Sequence, residues 1–477
     1  MRHQILSVLA ALLASTACGD LTSINNNPNG PTDVQPPSML SNAIQTVVDR
    51  VDGPNNNLDI RGGGLWVQYY AEIQYRDEDK YIVRPGVDGE WGMYSGPLED
   101  FQRMINKGVA AGVPNWEAVG RIMKSYVFSV MTDAMGDIPY SEAFQERALL
   151  TPKYDTQQAI YTALFADLAK ASQQIDPAGI GFGSGDIMYG GDMTTWRKFA
   201  NSLRLRLAMH LTNVAPATAQ SEALAAVTAG VFASNDESAQ LMYLASAPNQ
   251  NPVYTNVHVD KRDDYGMSKT LVDSMLSWND PRLPIYAQPN DTTGAYQGLP
   301  NGLNDGAGPQ LKFISRFGTF WRETPAAPLA LLTYSEVLFL EAEAAERGWI
   351  TGNATQLYDD AIRASMEQYG IATTAIDAYL AQPRVVYATG AAGLTQIAYQ
   401  KWVSLFLQGM EGWTEVRRTG VPALVPGPNA VLTKIPERLP YSDNEAVLNK
   451  ANLDAAVAAQ HFSSSTDLTT PLWFTGR

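Results

Sequence analysis

The sequence predicts an all-α protein in which a helical superhelix carries a loop-rich face. Apolar residues recur every three to four positions in several successive segments, which is the spacing of helices that bury one face. One segment contains two such stripes separated by a turn. Stretches rich in Gly, Pro, Asn and Asp lie between the helical blocks, and they predict long structured loops.

Four amphipathic helices are predicted in the first half of the chain. Their apolar stripes lie within residues 39–48, 116–131, 160–168 and 196–211. In the last stripe, Trp196, Leu203 and Leu207 share one face, and residues 192–195 offer capping side chains in front of it. His210 falls on the same stripe, so we expect it in the core or at the helix end rather than on a metal ion.

A helical pair is predicted at residues 332–369. One apolar stripe covers 334–345, a second covers 358–369, and Gly352 and Asn353 supply turn chemistry between them. Alanines on the first stripe allow the second helix to approach closely. The length of the unit is typical of tetratricopeptide-like repeats, which stack into a superhelix. A further stripe predicts a helix over 397–410.

Three segments of different composition interrupt the helices, at 76–98, 178–193 and 247–330. The last is a long insertion with few helical stripes. Long structured loops within a compact body usually serve function rather than connection. We therefore expect 76–98 and 247–330 to form a ligand-binding face on a helical body that spans 39–477.

The N-terminus has the layout of an export signal. Arg2 and His3 precede an apolar run that is too short to span a bilayer, and small residues lead to Cys18, the only cysteine in the chain. Residues 1–17 are predicted to be a lipoprotein signal peptide, Cys18 the lipidation site, and 18–38 a flexible tether. The alternative is a secreted protein with an incidental cysteine, because Ser15 occupies a position where such signals usually have Leu.

Composition excludes several functional classes. Without another thiol, the exported chain has no disulfide, cysteine nucleophile or zinc–cysteine cluster. Its net charge of −15 argues against binding nucleic acid through phosphates. No pair of histidines has metal-ligand spacing, and the Gly-rich segment at 179–192 lacks a phosphate-loop ending. We therefore expect neither a metal nor a cofactor.

Aromatic residues outside the helical stripes are the candidate binding residues. Sugars present apolar C–H faces together with hydroxyl groups, so their receptors combine flat aromatic rings with polar side chains. The packing of rings in the core or in loops is the competing explanation for each residue. The candidates, chosen by loop placement and chemistry, are Trp66, Tyr75, Trp91, Tyr94, Tyr296 and Trp321.

Catalytic motifs are mostly missing. The chain has no G-x-S-x-G elbow and no H-E-x-x-H sequence. Asp133 and Asp137 lie one helical turn apart, and a glycosidase needs only two carboxylates. A helix end at Asp137, stopped by Pro139, explains the same residues. No catalytic residue is therefore assigned.

Several long motifs resemble the SusD/RagB family of outer-membrane nutrient-binding lipoproteins, in the correct order and over nearly the whole exported chain. They are "NNNPNGPT" after Cys18, "MGDIPYSEA" at 135–143, "YGGDMTTWRKFANSLRLRLAMHL" at 189–211, "LTYSEVLFLEAEAA" at 332–345, "YQKWVSLFLQGMEGWTEVRRTGVP" at 399–422 and "IPERLPYSDNEAVLN" at 435–449.

The resemblance implies a non-enzymatic protein, lipid-anchored at the outer membrane and facing the exterior. It implies capture of oligosaccharides and their delivery to a SusC-like TonB-dependent transporter. Three alternatives stay open: capture of peptides by the same architecture, a lipoprotein glycoside hydrolase, and a helical scaffold that binds only envelope proteins. The family motifs are expected to be structural, so the ligand residues cannot be carried over from them.

Overall fold

Helices dominate the computed structural model, which describes residues 33–54, 58–84 and 91–477. The predicted signal peptide, Cys18 and most of the predicted tether lie outside the described residues. The helices of eight residues or more are α1 Pro36–Val51, α2 Glu99–Ala111, α3 Pro114–Met135, α4 Gln157–Gln174, α5 Met193–His210, α6 Pro216–Ala229, α7 Lys269–Ser277, α8 Tyr334–Glu346, α9 Ala354–Glu367, α10 Thr373–Leu380, α11 Ala391–Ser404, α12 Gly409–Thr419 and α13 Lys450–Ala459.

Local sequence signals account for the ends of the best-defined helices. The Asp192 carboxylate accepts hydrogen bonds from the backbone N–H groups of Thr194 (2.8 Å) and Thr195 (3.3 Å), so it caps α5 as predicted. Pro114 occupies the first turn of α3, where its missing N–H costs nothing, and Gly136 ends that helix with φ +87°.

Consecutive helices pack against one another along the chain. The sequence α2–α3–α4–α5–α6 forms one series of neighbours, and α8 packs on α9 and α11. Short connections join α2 to α3, α5 to α6 and α8 to α9, which makes the helices of each of these pairs antiparallel. One large apolar core runs from α1 to the C-terminal segment, and a smaller core lies between α8, α9 and α10. The prediction of an all-α, superhelical fold is confirmed.

The strands among the described residues form two small antiparallel pairs. Strand β1 (Tyr70–Glu72) pairs with β3 (Tyr265–Met267), and β2 (Ala239–Leu241) pairs with β4 (Leu329–Leu332). Both pairs join the long insertion to the helical body. Between β2 and β4, the insertion contains β3, α7 and several shorter helical turns. These turns are Pro252–Tyr254, Thr255–Val259, Leu283–Tyr286, Leu311–Phe313 and Thr319–Arg322.

The predicted helix over 397–410 is confirmed as far as Ser404 and is wrong beyond it. Helix α11 ends at Ser404, and α12 begins at Gly409. Leu407 adopts φ +67°, a left-handed conformation that cannot continue a right-handed helix. A Cβ atom at Gly409 would overlap the Asp59 carboxylate and the backbone of Gly64. The apolar spacing continues across this break, which is why the sequence does not reveal it.

His210 lies in the core, at the centre of a buried charge network. Its Nδ1 lies 3.1 Å from Asp133 Oδ2, and its Nε2 lies 3.0 Å from Glu411 Oε1. Burial alone would lower the pKa of this imidazole, but Glu411 and Asp133 raise it to about 9. The ring is therefore a buried imidazolium at neutral pH.

Candidate functional site

A cavity of about 390 Å³ opens beside the end of the long insertion. Such a volume is in the usual range for small-molecule sites. The cavity lies where the insertion meets β2, β4, the end of α9 and the α11–α12 break. Its lining residues are Asn235, Asp236, Gln240, Met242, Phe320, Trp321, Pro328, Leu329, Ala330, Thr333, Glu367, Gln368, Tyr369, Phe406, Leu407 and Gln408.

Four aromatic rings wall this cavity. Phe320 and Trp321 lie in the short helix Thr319–Arg322, with ring centroids 4.8 Å apart. Tyr369 lies 5.5 Å from Phe320 and 5.9 Å from Trp321, and all three contacts are edge-to-face. Phe406 lies 6.3 Å from Trp321. The rings hold one another in place, which gives the cavity a firm apolar wall.

The break between α11 and α12 places Phe406 and the two residues that follow it at the cavity wall. Phe406, Leu407 and Gln408 all line the wall, and the left-handed Leu407 turns the backbone between them. A non-glycine residue in this conformation costs about 1–3 kcal/mol and persists only where packing holds it. Here Leu407 is 2 % exposed, so the apolar core supplies that packing.

Three lining residues carry buried polar atoms that have no hydrogen-bond partner among the described residues. These atoms are Asn235 Oδ1, Trp321 Nε1 and Gln408 Oε1. The orientation of the Asn235 amide follows from its Nδ2, which donates to Ala364 O at 3.1 Å. An unpaired buried polar atom costs about 1–3 kcal/mol. These three atoms have almost no accessible surface, so they lie within the wall and a ligand in the cavity reaches them only if neighbouring side chains move.

The charged side chains that line the cavity are both acidic. Asp236 and Glu367 are exposed. Neither carboxylate forms an ion pair or a side-chain hydrogen bond within the described part of the chain. No Lys, Arg or His is among the lining residues. The cavity therefore disfavours anionic ligands and accepts neutral or cationic ones.

Two of the six sequence candidates are buried, and they lie in different surroundings. Trp321 lines the cavity. Trp66 is fully buried, packs edge-on against Trp413 at 4.9 Å, and donates from Nε1 to Glu78 O at 3.3 Å. The Trp66 ring presents no face to solvent, so its assignment as a ligand residue is corrected to a core residue.

The other four candidates lie away from the cavity. Trp91 and Tyr94 come together, with ring centroids 5.6 Å apart, in a half-buried aromatic cluster that includes Tyr154 and Tyr441. The Tyr94 hydroxyl donates to Pro139 O at 2.5 Å, in the "GDIPY" motif. Tyr75 is 63 % exposed, Tyr296 is half-buried, and among the described rings no contact joins either to Trp321. Their roles as ligand residues stay predictions.

Sequence reasoning missed most of the cavity wall. Tyr369 and Phe406 follow helical stripes, so the pattern assigns them to the core. No feature of the sequence distinguishes Phe320 from the other aromatic residues of the insertion. Asn235 and Gln408 become notable only through the partners that they lack in three dimensions. No signal in a single sequence separates these residues from ordinary core and loop positions.

The carboxylates considered for catalysis have structural partners. Asp133 contacts His210 and accepts a hydrogen bond from the Tyr161 hydroxyl at 2.7 Å. Asp137 accepts from the Gln157 backbone N–H at 2.8 Å, and burial raises its pKa to about 6. Both side chains are buried, and neither lines the aromatic cavity.

One group of possible metal ligands occurs within the described ranges, formed by His210, Glu411 and Glu415. The ammonium of Lys401 already lies 3.2 Å from Glu415 and 3.5 Å from Glu411. This cation and the imidazolium of His210 balance the two carboxylates. The group therefore acts as a buried ion-pair network.

A helical body with a preformed aromatic cavity defines a small-molecule binding protein. The sequence matches the SusD-like family, described as starch-binding and associating with the outer membrane, over residues 28–442. The chain therefore belongs to this family. Among the described helices, none has the length and apolar character needed to cross a membrane.

Solved structures of similar fold support this assignment. A chitin-binding protein is 29 % identical, with a TM-score of 0.82 over 93 % of this chain and all of that one. A chitin-binding SusD homologue from Flavobacterium johnsoniae is 26 % identical, with a TM-score of 0.79 over 92 % and 97 % of the two chains. A SusD homologue from Bacteroides fragilis is also 26 % identical, with a TM-score of 0.80 over 93 % and 100 %. A search of curated proteins found no match.

Proposed function

We propose that this protein captures oligosaccharides in the aromatic cavity, as a non-enzymatic lipoprotein on the exterior of the outer membrane. It delivers them to a SusC-like TonB-dependent transporter. The observation that carries the proposal is the cavity itself, where aromatic rings meet polar lining residues such as Gln240, Thr333 and Gln368. Sugars match both features, because their C–H faces stack on rings and their hydroxyl groups both donate and accept.

Chitin oligosaccharides are the first ligands to test, because two similar structures are described as chitin-binding. An acetamido group suits the wall, since its methyl group can pack on the rings and its amide can pair with polar lining residues such as Gln240 and Gln368. Starch oligosaccharides are the second set of ligands to test, because the family is described as starch-binding. We expect affinities in the micromolar range or weaker, as usual for open, polar sites.

Calorimetric titration of paired aromatic variants tests where the sugar binds. Phe320→Ala removes one wall of the cavity, and we expect about tenfold weaker binding from the lost stacking. Phe313→Ala is the matched control, because this half-buried ring lies in the same insertion but outside the cavity. Tyr75→Ala tests the exposed loop surface. Loss of binding in Tyr75→Ala alone would show that the sugar binds at that surface and not in the cavity.

Gln408→Met tests the stability of the cavity wall. The residue is 4 % exposed and its Oε1 has no partner among the described residues. Replacing it with an apolar side chain of similar size removes a buried unpaired acceptor, so the melting temperature should stay equal or rise. A lower melting temperature would show that the amide oxygen has a partner in solution.

Delivery to a transporter requires a physical complex. Affinity purification of the lipidated protein from outer membranes should recover a large TonB-dependent barrel. Incubation of the purified protein with bound oligosaccharide should leave the chain length of the sugar unchanged, as expected for a carrier. Shortened products that persist in a Phe320→Ala control but vanish in one carboxylate variant would instead favour the hydrolase alternative.

A further inference from the structure

We propose that one end of the helical body docks on the lipid surface of the outer membrane through two adjacent uncharged segments. These segments cover residues 108–116 and 177–185, and together they are called the uncharged end. This inference rests on the proposed lipid anchor and adds which side of the anchored body faces the bilayer. The uncharged end contains none of the residues that line the aromatic cavity.

The uncharged end differs in composition from the rest of the chain. Its segments read "GVAAGVPNW" and "PAGIGFGSG", and neither contains a charged residue, although 17 % of the chain is charged. Most of their residues are exposed, including Val109 at 62 % and Ile180 at 66 %. Exposed apolar residues that are grouped at one place mark a surface that meets a partner or a membrane.

Hydrogen bonds hold the two segments together. The Asn115 side chain donates from Nδ2 to Ile180 O at 3.1 Å. The Trp116 indole donates from Nε1 to Gly181 O at 2.9 Å. Val109, which ends α2 with its neighbours, and Ile180, which follows α4, therefore belong to one connected surface.

The chain enters the body at this same end. Asp33, the first described residue, forms an ion pair with Lys107, directly before the first segment. Ser41 Oγ donates to Gly185 O, in the second segment, at 2.8 Å. Asp33 follows Cys18 by 15 residues (33 less 18), and a chain of that length spans at most about 50 Å. Lipidation of Cys18 therefore keeps the uncharged end within about 50 Å of the bilayer.

The charges around the uncharged end are mostly paired or buried. The charged residues that border the two segments are Lys107, Glu117, Asp176 and Asp186. Lys107 pairs with Asp33. Glu117 lies 2.7 Å from Lys170 Nζ, and Asp186 is buried. Of the four, Asp176 is exposed.

This arrangement favours a lipid surface as the partner. The net charge of the chain is −15, so anionic lipids repel much of its surface. The uncharged end can approach them with little repulsion and can place Val109 and Ile180 among the headgroups. Stable attachment to a bilayer usually combines two signals. Here the lipid on Cys18 would be the first and these apolar side chains the second.

Site-specific fluorescence on the full-length lipidated protein tests the proposal. The protein is bound to vesicles of phosphatidylethanolamine and phosphatidylglycerol that contain nitroxide-labelled lipids. Cys18 is the only cysteine in the chain, and lipidation blocks its thiol, so a cysteine introduced in the body carries a single fluorescent label. Quenching in Ile180→Cys should be about fivefold stronger than in Leu150→Cys, because the proposal places only the first label among the lipids.

Leu150 is the matched control for Ile180. It is an aliphatic residue that is 78 % exposed, and it lies between Ile138 and Asp155, which pair just beyond the C-terminal end of α3. Helix α3 has 22 residues, which corresponds to a length of about 33 Å. Equal quenching at the two positions, with Cys18 acylated, would overturn the docking proposal and leave the lipid anchor intact.

A charge variant tests the contact itself. With the label on Ser184→Cys in the same segment, Ile180→Asp should lower the docked fraction about tenfold, and Leu150→Asp should leave it unchanged. Both residues are exposed, so the melting temperature and the oligosaccharide affinity in solution should stay as in the wild type. Unchanged quenching in Ile180→Asp would overturn the docking proposal. Mass spectrometry that finds no acyl group on Cys18 would overturn the anchor and the docking proposal together, and oligosaccharide capture would stand.

Discussion

The buried imidazolium of His210 should make folding stability depend on pH between about 6.5 and 9. The ring is 1 % exposed and lies between Asp133 and Glu411, with the Tyr161 hydroxyl 3.1 Å from Nδ1. In the unfolded chain the pKa of a histidine is about 6.5. In the folded protein the pKa of His210 is about 9. The folded state therefore binds this proton more tightly than the unfolded state does.

The sign and size of the pH dependence of folding stability follow from the difference between the two pKa values. A raised pKa contributes stability that is fully present below pH 6.5 and is lost as the pH rises through about 9. The interval between the two pKa values, at about 1.4 kcal/mol per pH unit, corresponds to about 3 kcal/mol. Other buried groups titrate in the same range. The contribution of His210 is therefore the difference between the wild type and His210→Gln, which keeps a polar side chain without the charge.

Two measurements check this prediction. The difference in free energy of unfolding between wild type and His210→Gln should shrink by about 3 kcal/mol from below pH 6.5 to above pH 9. NMR titration of the imidazole resonances is simple, because the chain has four histidines, and the resonance lost in His210→Gln should titrate near pH 9. A difference in stability that does not change with pH, or titration near 6.5, would refute the imidazolium network.

Three further predictions test the fold and the corrected residue assignment. Gly409→Ala places a methyl group against the backbone and should destabilise the protein by about 3 kcal/mol, whereas Gly181→Ala, whose nearest neighbour is 3.7 Å away, should be nearly neutral in thermal unfolding. Asp192→Ala removes the α5 cap and should cost about 1 kcal/mol in the same assay, with Asp192→Asn recovering most of it. Trp66→Phe should lose about 1–3 kcal/mol of stability but keep oligosaccharide affinity in calorimetry, and a selective loss of affinity would restore Trp66 as a ligand residue.

Periodicity located the long helices well, because each of them buries one face. Helix α5, its Asp192 cap and the α8–α9 pair all appear as predicted. The helix predicted over 397–410 failed beyond Ser404 because its apolar spacing continues through a left-handed residue, Leu407. Beside the break, Gly409 packs against Asp59 and Gly64, which are more than 300 residues away in sequence. Such a contact is invisible in a one-dimensional pattern.

The candidate site was predicted only at Trp321. Loop placement and aromatic chemistry identified that residue, but the same criteria also selected Trp66, which fills the core beside Trp413. A ring in a Gly-rich segment packs inward or outward according to tertiary contacts that composition does not contain. The wall of the cavity also holds buried polar atoms of Asn235 and Gln408 that have no partner among the described residues. The absence of a partner is a property of the folded structure alone.

The central claim is that the aromatic cavity beside Trp321 and Phe320 holds an oligosaccharide. Calorimetric titration of wild type, Phe320→Ala and Phe313→Ala with chitin oligosaccharides tests it most directly. The account predicts saturable binding by the wild type, about tenfold weaker binding by Phe320→Ala, and no change in Phe313→Ala. Equal affinities in all three proteins, or no binding by a correctly folded wild type, would contradict it.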